Sequence, residues 1–284
     1  MTTHTLAFVN QKGGVGKTTI STNVASLLAR RFAPGRVLFI DCDAQANGTS
    51  TFMGPDAAFG PKPPKGLMDV LVDDVPAASA IYRCKLKTLR QPTALTIDVL
   101  PAHVKLARAV ERLIGRYGME QQLNMALQPL RERYDFIVMD CPPSLGMITR
   151  MVLTAVSAVV VPVNPGVYSM VGIGYLRELI DEVRRHPAGN PALNILGVVP
   201  NNFSRTTLAN ETLHDLEEDF GPEMLLPIVP TRVQLGEAQS AFTDLYDHES
   251  TPKMPDPTAN EHSVSHAILR VTQEIVRRTQ AKKS

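Results

Sequence analysis

FVNQKGGVGKTT, residues 8–19, decides the fold. An apolar run ends here in a glycine-rich loop, and a helical pattern starts directly after it. The loop carries two lysines, Lys12 and Lys17. A plain phosphate-binding loop has a glycine five places before its final one. Gln11 holds that place, so the pattern is a variant, KGGVGKTT. A lysine ahead of the loop as well as at its end suggests a nucleotide site shared between two subunits.

The loop's chemistry follows from its residues. Gly13, Gly14 and Gly16 lack Cβ atoms, so the backbone can take positive φ and approach an anion closely. Successive N–H groups from Gly13 through Val15 to Thr19 make a concave anion nest. A helix beginning near Gly16 adds its positive dipole end. Lys17 is placed to reach the β- and γ-phosphates, and the Thr18 hydroxyl to ligate Mg²⁺.

Working outward, strands and helices alternate. Strands are expected at 3–10, 36–43, 95–102, 134–144, 157–166, 193–203 and, briefly, 224–230. Helices are expected at Thr18–Arg31, 66–74, near 104–114 and 119–132, at 169–185, to about Glu218, after Pro230, and at 264–278. Residues 54–65, rich in Pro and Gly, read as a surface loop. Such alternation implies an α/β fold, a doubly wound and mostly parallel sheet with ligands at the strands' carboxyl ends. No repeat or linker divides residues 1–284, which read as a single domain.

Composition agrees. The chain has 284 residues, 44% apolar and 20% charged, enough for a sizeable core. A net charge of +1 does not announce a nucleic-acid binder, so any basic patch must be local. Cys42, Cys84 and Cys141 are scattered and lack metal-ligand spacing, which fits reduced thiols in a cytoplasmic protein. No signal peptide is expected, and no run approaches the ~18 apolar residues of a membrane span.

Carboxylates complete the expected site. Asp140 ends the apolar strand FIVMD, where a magnesium-holding aspartate belongs. Asp41 and Asp43 end the strand after the loop helix, on one side of it by alternation. Two such charges repel unless a cation offsets them, and Mg²⁺ with Lys12 and Lys17 would do so. One carboxylate can support the metal's shell while the other orients or deprotonates water.

Six segments together resemble the ParA/Soj-type partition ATPases, within the wider ParA/MinD group. They are NQKGGVGKTT (10–19), FIDCDAQAN (39–47), YDFIVMDCPPSLG (134–146), VVVPVNPG (159–166), SRTTLANETL (204–213) and IVPTRVQLGEAQ (228–239). The resemblance implies that Lys12 is the signature lysine reaching a partner's phosphates, much as an arginine finger does. It implies that Asp43 activates water, that Asp41 supports the magnesium shell, and that Asp140, Pro142 and Pro143 form the Walker B and switch region. Asn201 is similar in place to an adenine-contacting residue, and Pro230 begins the loop over the base. Arg205 and Arg232 resemble positions that grip double-stranded DNA without sequence preference, with Arg270, Arg277, Arg278, Lys282 and Lys283 as an extension. The implied activity is slow ATP hydrolysis in an ATP-dependent homodimer on nucleoid DNA, stimulated by a ParB-like partner, with no membrane.

Three features qualify that implication. The family often has acidic residues after its VPV-x-P segment, where this chain has Gly166 and Val171. No helix-turn-helix domain is expected ahead of the loop, because the first strand starts almost at Met1. The alternative is a MinD- or FlhG-like positioning ATPase on a membrane. It would need a bulky apolar face on the last helix, and Ile268, Leu269, Val271, Ile275 and Val276 give only a modest stripe. A metabolic ATPase or reductase partner would need a cysteine cluster, which is lacking.

Overall fold

The computed structural model describes residues 3–86, 95–113, 115–116, 118–249 and 256–281. In chain order the first half runs β1 (His4–Phe8), α1 (Lys17–Leu27), β2 (Val37–Asp41), α2 (Asn47–Met53), α3 (Pro55–Phe59) and α4 (Leu67–Val72). It continues β3 (Tyr82–Lys85), β4 (Thr96–Leu100), α5 (Ala109–Leu113), α6 (Gln122–Leu127), β5 (Phe136–Asp140) and α7 (Met147–Ala155). The rest is β6 (Ala158–Val163), α8 (Ser169–Arg185), β7 (Asn194–Phe203), α9 (Thr207–Phe220), β8 (Val229–Pro230), α10 (Val233–Ser240), α11 (Leu245–Glu249) and α12 (Val264–Ala281).

The strands form one eight-stranded sheet in the order β3-β4-β2-β5-β1-β6-β7-β8. Every pairing is parallel except β3 with β4. The central strands are apolar throughout because helices cover both faces. Alternation divides their side chains between two cores. Ala7, Leu38, Ile40, Ile137 and Met139 face the layer with α4, α6, α7 and α8. Leu6, Phe8, Phe39, Phe136 and Val138 face the layer with α1 and α12. The register sets Asp41 opposite Asp140 and Phe8 opposite Asp140, so the carboxylates and the glycine-rich loop emerge from one edge of the sheet.

Several elements differ from the sequence expectation. β3 was not expected. It is an antiparallel edge strand whose exposed side carries Arg83 and Lys85, charges that suit an unprotected edge and hide the alternation. The 54–65 loop contains α3, started by Pro55 at its first turn. The expected 224–230 strand reduces to Val229–Pro230 and a single bridge from Leu225 to Val198, since Pro227 has no N–H to give a ladder. α1 widens into a π-helical turn at Leu28–Phe32, where Arg30 turns inward. All three cysteines are free; Cys42 and Cys141 are buried and Cys84 is half-buried.

Candidate active site

The loop between β1 and α1 is shaped by three asparagines from neighbouring strand ends. Asn10 Oδ1 accepts the Lys12 N–H at 3.0 Å, while its Nδ2 donates to the Pro162 carbonyl at 2.8 Å. Asn164 Nδ2 donates to the Gly14 carbonyl at 2.9 Å. Asn201 Nδ2 donates to the Val15 carbonyl at 2.9 Å. Carbonyls held outward leave the loop's N–H groups for an anion. Gly16 has φ 87°, and a Cβ there would lie 2.3 Å from Asn201 Nδ2, so glycine is needed twice over. Asn10 and Asn164 were not singled out in the sequence. Their signal was a lone amide at the carboxyl end of an apolar strand.

A mouth of about 280 Å³ opens over this loop. Gly13, Gly14, Gly16, Lys17, Thr18 and Thr19 line it on one side, and Asp43 and Pro143 on the other. Lys17 is buried, and its Nζ donates to the Lys12 carbonyl at 3.0 Å. Burial pushes its pKa down, and the Asp140 and Asp43 carboxylates push it back up. The first bond of the helix runs from the Ile20 N–H to the Gly16 carbonyl, which leaves the earlier N–H groups for a ligand.

The three aspartates stand in different environments. Asp140 is fully buried, and neither carboxylate oxygen has a hydrogen-bond partner among the described residues. Burial raises its pKa strongly, and the Asp41 charge adds to that; the nearby Thr18 and Ser21 hydroxyls oppose it. An orphaned carboxylate of this kind, next to a threonine hydroxyl, fits a cation. Among the described residues no three His, Cys, Asp or Glu cluster to form a protein cage. Mg²⁺ suits such a site, because it keeps several waters and takes one or two protein ligands with phosphates.

Asp41 is different. Its Oδ2 accepts the Thr49 N–H at 2.7 Å and the Thr49 hydroxyl at 2.9 Å, and its Oδ1 accepts the Asp43 N–H at 3.1 Å. Burial raises its pKa to about 6 against those donors. Asp41 therefore ties α2 and the turn at 42–46 to the end of β2, behind the mouth. Alternation had put Asp41 and Asp43 together. Strand β2 instead ends at Asp41, and Asp43 lies in the turn, where Gln45 N–H donates to its Oδ1 at 3.0 Å.

Lys12 stands apart. Its side chain is exposed and is not among the residues lining the mouth. A Cβ on Gly166 would lie 3.1 Å from the Lys12 ammonium, so the missing side chain at 166 makes room for it. Just beyond, Val167, Tyr168, Val171 and Tyr175 are more than half exposed.

The other expected residues lie on the β7–β8 flank. Asn201 is 5% exposed, and its Oδ1 has no partner among the described residues. Pro230 pairs with Phe203 across a bulge at Asn202, whose φ is 59°. Arg205 and Arg232 are exposed, as is Arg270. Arg277 pairs with Glu274 at 2.6 Å. Arg278 corrects the expected extension of the basic patch. It is turned inward, donating to the Leu196, Met224 and Leu225 carbonyls at 2.9, 3.2 and 3.1 Å and pairing with Glu274 at 2.7 Å. Lys282 and Lys283 lie outside the described residues.

Known proteins resemble the chain over most of its length. A family model described as an AAA domain matches residues 3–195. The sporulation initiation inhibitor protein Soj of Bacillus subtilis is 35% identical over 236 residues, covering 83% of this chain and 87% of Soj. The chromosome-partitioning ATPase Soj of Thermus thermophilus is 34% identical over 97% of this chain and 96% of its own. Among solved structures, cobyrinic acid a,c-diamide synthase from Mycobacterium smegmatis, with bound ATP analogue and magnesium, is 32% identical. Its TM-score is 0.69, over 84% of this chain and 91% of that one.

Proposed function

This chain belongs to the ParA/Soj-type partition ATPases, and on that premise we propose that it couples Mg²⁺-dependent ATP hydrolysis to self-association and to DNA binding. The loop N–H groups and the start of α1 hold the phosphates. Lys17 neutralises charge at the β- and γ-phosphates. Thr18 and Asp140 hold the magnesium, with Asp41 fixing the turn behind it. Bound there, the metal offsets negative charge on the phosphate oxygens. Asp43 orients the attacking water and takes its proton. Asn201 and Pro230 border the base.

One observation carries the dimer. The mouth is furnished from one chain, yet Lys12 stands outside it, exposed beside Gly166. An ammonium so placed is available to a second copy's phosphates. ATP then shifts the equilibrium to the dimer, because it binds that state better. Arg205 and Arg232, doubled by the dimer, hold duplex DNA non-specifically on the nucleoid. A ParB-like adaptor triggers hydrolysis and release.

The membrane alternative draws no support from the apolar stripe of α12. Ile268, Leu269, Val271 and Ile275 of α12 are all buried in the core with α1. Among the described residues no helix is long and apolar enough to cross a membrane. Retention on random duplex DNA and on anionic liposomes, each with ATP and with ADP, tests the reading. ATP-dependent DNA binding that weakens with salt is expected. Salt-independent retention on liposomes without DNA binding overturns it.

A further inference from the structure

One residue in the lining of the mouth comes from the C-terminal half of the chain. Gln239, on α10, is the one residue from beyond Pro143 that reaches it, among the described residues. Its side-chain N–H donates to the Thr19 hydroxyl. A hydroxyl has one proton and two lone pairs. With Gln239 on a lone pair, the Thr19 proton remains to be donated elsewhere. The Thr19 backbone N–H is also among those the helix leaves open.

Gln239 does not reach Thr19 by chance of an exposed side chain. α10 and α11 form a strap along α1, tied at successive turns of one face. The Leu245 N–H donates to Asn23 Oδ1 at 2.7 Å. The Ser26 hydroxyl donates to Asp244 Oδ2 at 2.9 Å. Arg30, buried, pairs with Asp244 at 3.1 Å and Asp247 at 2.9 Å. Thr19, Asn23, Ser26 and Arg30 recur at helical spacing, so the strap follows the helix from its phosphate end to its far end. A second pocket, lined by Thr22, Asn47, Ser50, Gln239 and Thr243, lies between this strap and α2.

We propose that Gln239 is a positioning residue for the nucleotide. It holds the Thr19 hydroxyl as an acceptor, so that the hydroxyl proton is donated to the inner phosphates. This rests on the reading of the loop as a nucleotide site. Lys17 and Thr18 serve the β- and γ-phosphate end and the magnesium. Thr19, the next residue along the helix, serves the phosphates that ATP and ADP share. Gln239 therefore affects both nucleotides equally, whereas a group acting on the γ-phosphate affects ATP alone.

Titrations with fluorescent ATP and ADP analogues test this on the wild-type chain, Gln239→Ala, Gln239→Glu and Lys17→Ala. Gln239→Ala is expected to weaken ATP and ADP by the same factor, about fivefold, as for one lost hydrogen bond. Gln239→Glu is expected to be worse than Gln239→Ala, because a carboxylate accepts the Thr19 proton and adds negative charge beside the phosphates. Thr19→Val should add little to Gln239→Ala, since both remove one relay. Wild-type affinity in Gln239→Ala, a loss confined to ATP, or Gln239→Glu binding as well as wild type overturns the proposal. The last result would mean that residue 239 only holds the strap. If Lys17→Ala also binds normally, the nucleotide-site reading itself fails; if only Lys17→Ala loses binding, this proposal fails alone.

Discussion

On the β1–β2–β5 side of the mouth, the acting groups stand at the ends of strands buried on both faces. Asp41 and Asp140 are 0% exposed, and Lys17 is 6% exposed. On the β7–β8 side they stand on a bulge, a two-residue strand and exposed loops, and Arg205 and Arg232 lie open to solvent. The first side fixes atoms to the precision that phosphoryl transfer needs, and accepts the burial of charge to do so. On the function proposed above, the second side would offer reach and charge to a long polymer, where placement matters less. The two sides meet at Asn201, which belongs to β7 but holds the loop carbonyl of Val15.

If that division is right, the largest effect comes from the buried side. Lys17→Ala is expected to lower ATP hydrolysis by about 10³-fold, the cost of removing a principal charge-stabilising group. The same change should leave salt-dependent contacts of the far flank chemically intact, but unused, because the ATP-bound dimer fails to form. Steady-state hydrolysis and DNA retention measure the two. Retained DNA binding in this variant would break the link between the regions.

The exposed side should yield a graded effect. A dimer carries each arginine twice, so Arg205→Ala or Arg232→Ala should flatten the salt dependence of DNA binding. The expected change is about two units of log–log slope, at roughly 0.9 per phosphate contact. Hydrolysis without DNA should stay within about twofold, as for an exposed residue far from the chemistry. A change in nucleotide affinity instead would show that these arginines serve the nucleotide and not DNA.

The same contrast explains what the sequence disclosed. Glycines, a lysine and strand-end carboxylates were legible because burial and backbone conformation admit few residue types there. The central strands were legible because both faces are apolar. Asn10 and Asn164 were not, since an amide at a strand end looks like any turn residue until the carbonyl it holds is seen. Asp41 was placed on the right strand, but the turn that parts it from Asp43 depends on Thr49, eight residues on. β3 was hidden by its surface charges. Arg278 looked like a surface cation because its partners, the carbonyls of Leu196, Met224 and Leu225, are far away in the chain. The role proposed for Arg205 and Arg232 came from family resemblance, because an arginine on an exposed loop carries no local pattern of its own.

The smallest effect concerns how the exposed flank is held together. Where the 224–228 segment lacks a ladder, Arg278 binds its carbonyls, and Glu274 holds Arg278 and Arg277. Arg277 first, then Arg278, keep the Glu274 carboxyl down to about 2, against a smaller opposing push from burial. A carboxylate depressed in the folded state stabilises it above the unfolded value near 4.5. That contribution disappears as pH falls from there through about 2. Glu274→Gln is therefore expected to destabilise the chain at pH 7 by at most about 1 kcal/mol, the range of partly exposed pairs. The difference in urea unfolding between variant and wild type should shrink as pH falls below 4.5 and vanish only near pH 2, and it should also shrink in high salt at pH 7. A difference that persists unchanged at low pH would mean that Glu274 acts by packing. The β7–β8 flank would then be built by burial, as the phosphate side is, and the contrast between the two would narrow to their strand lengths.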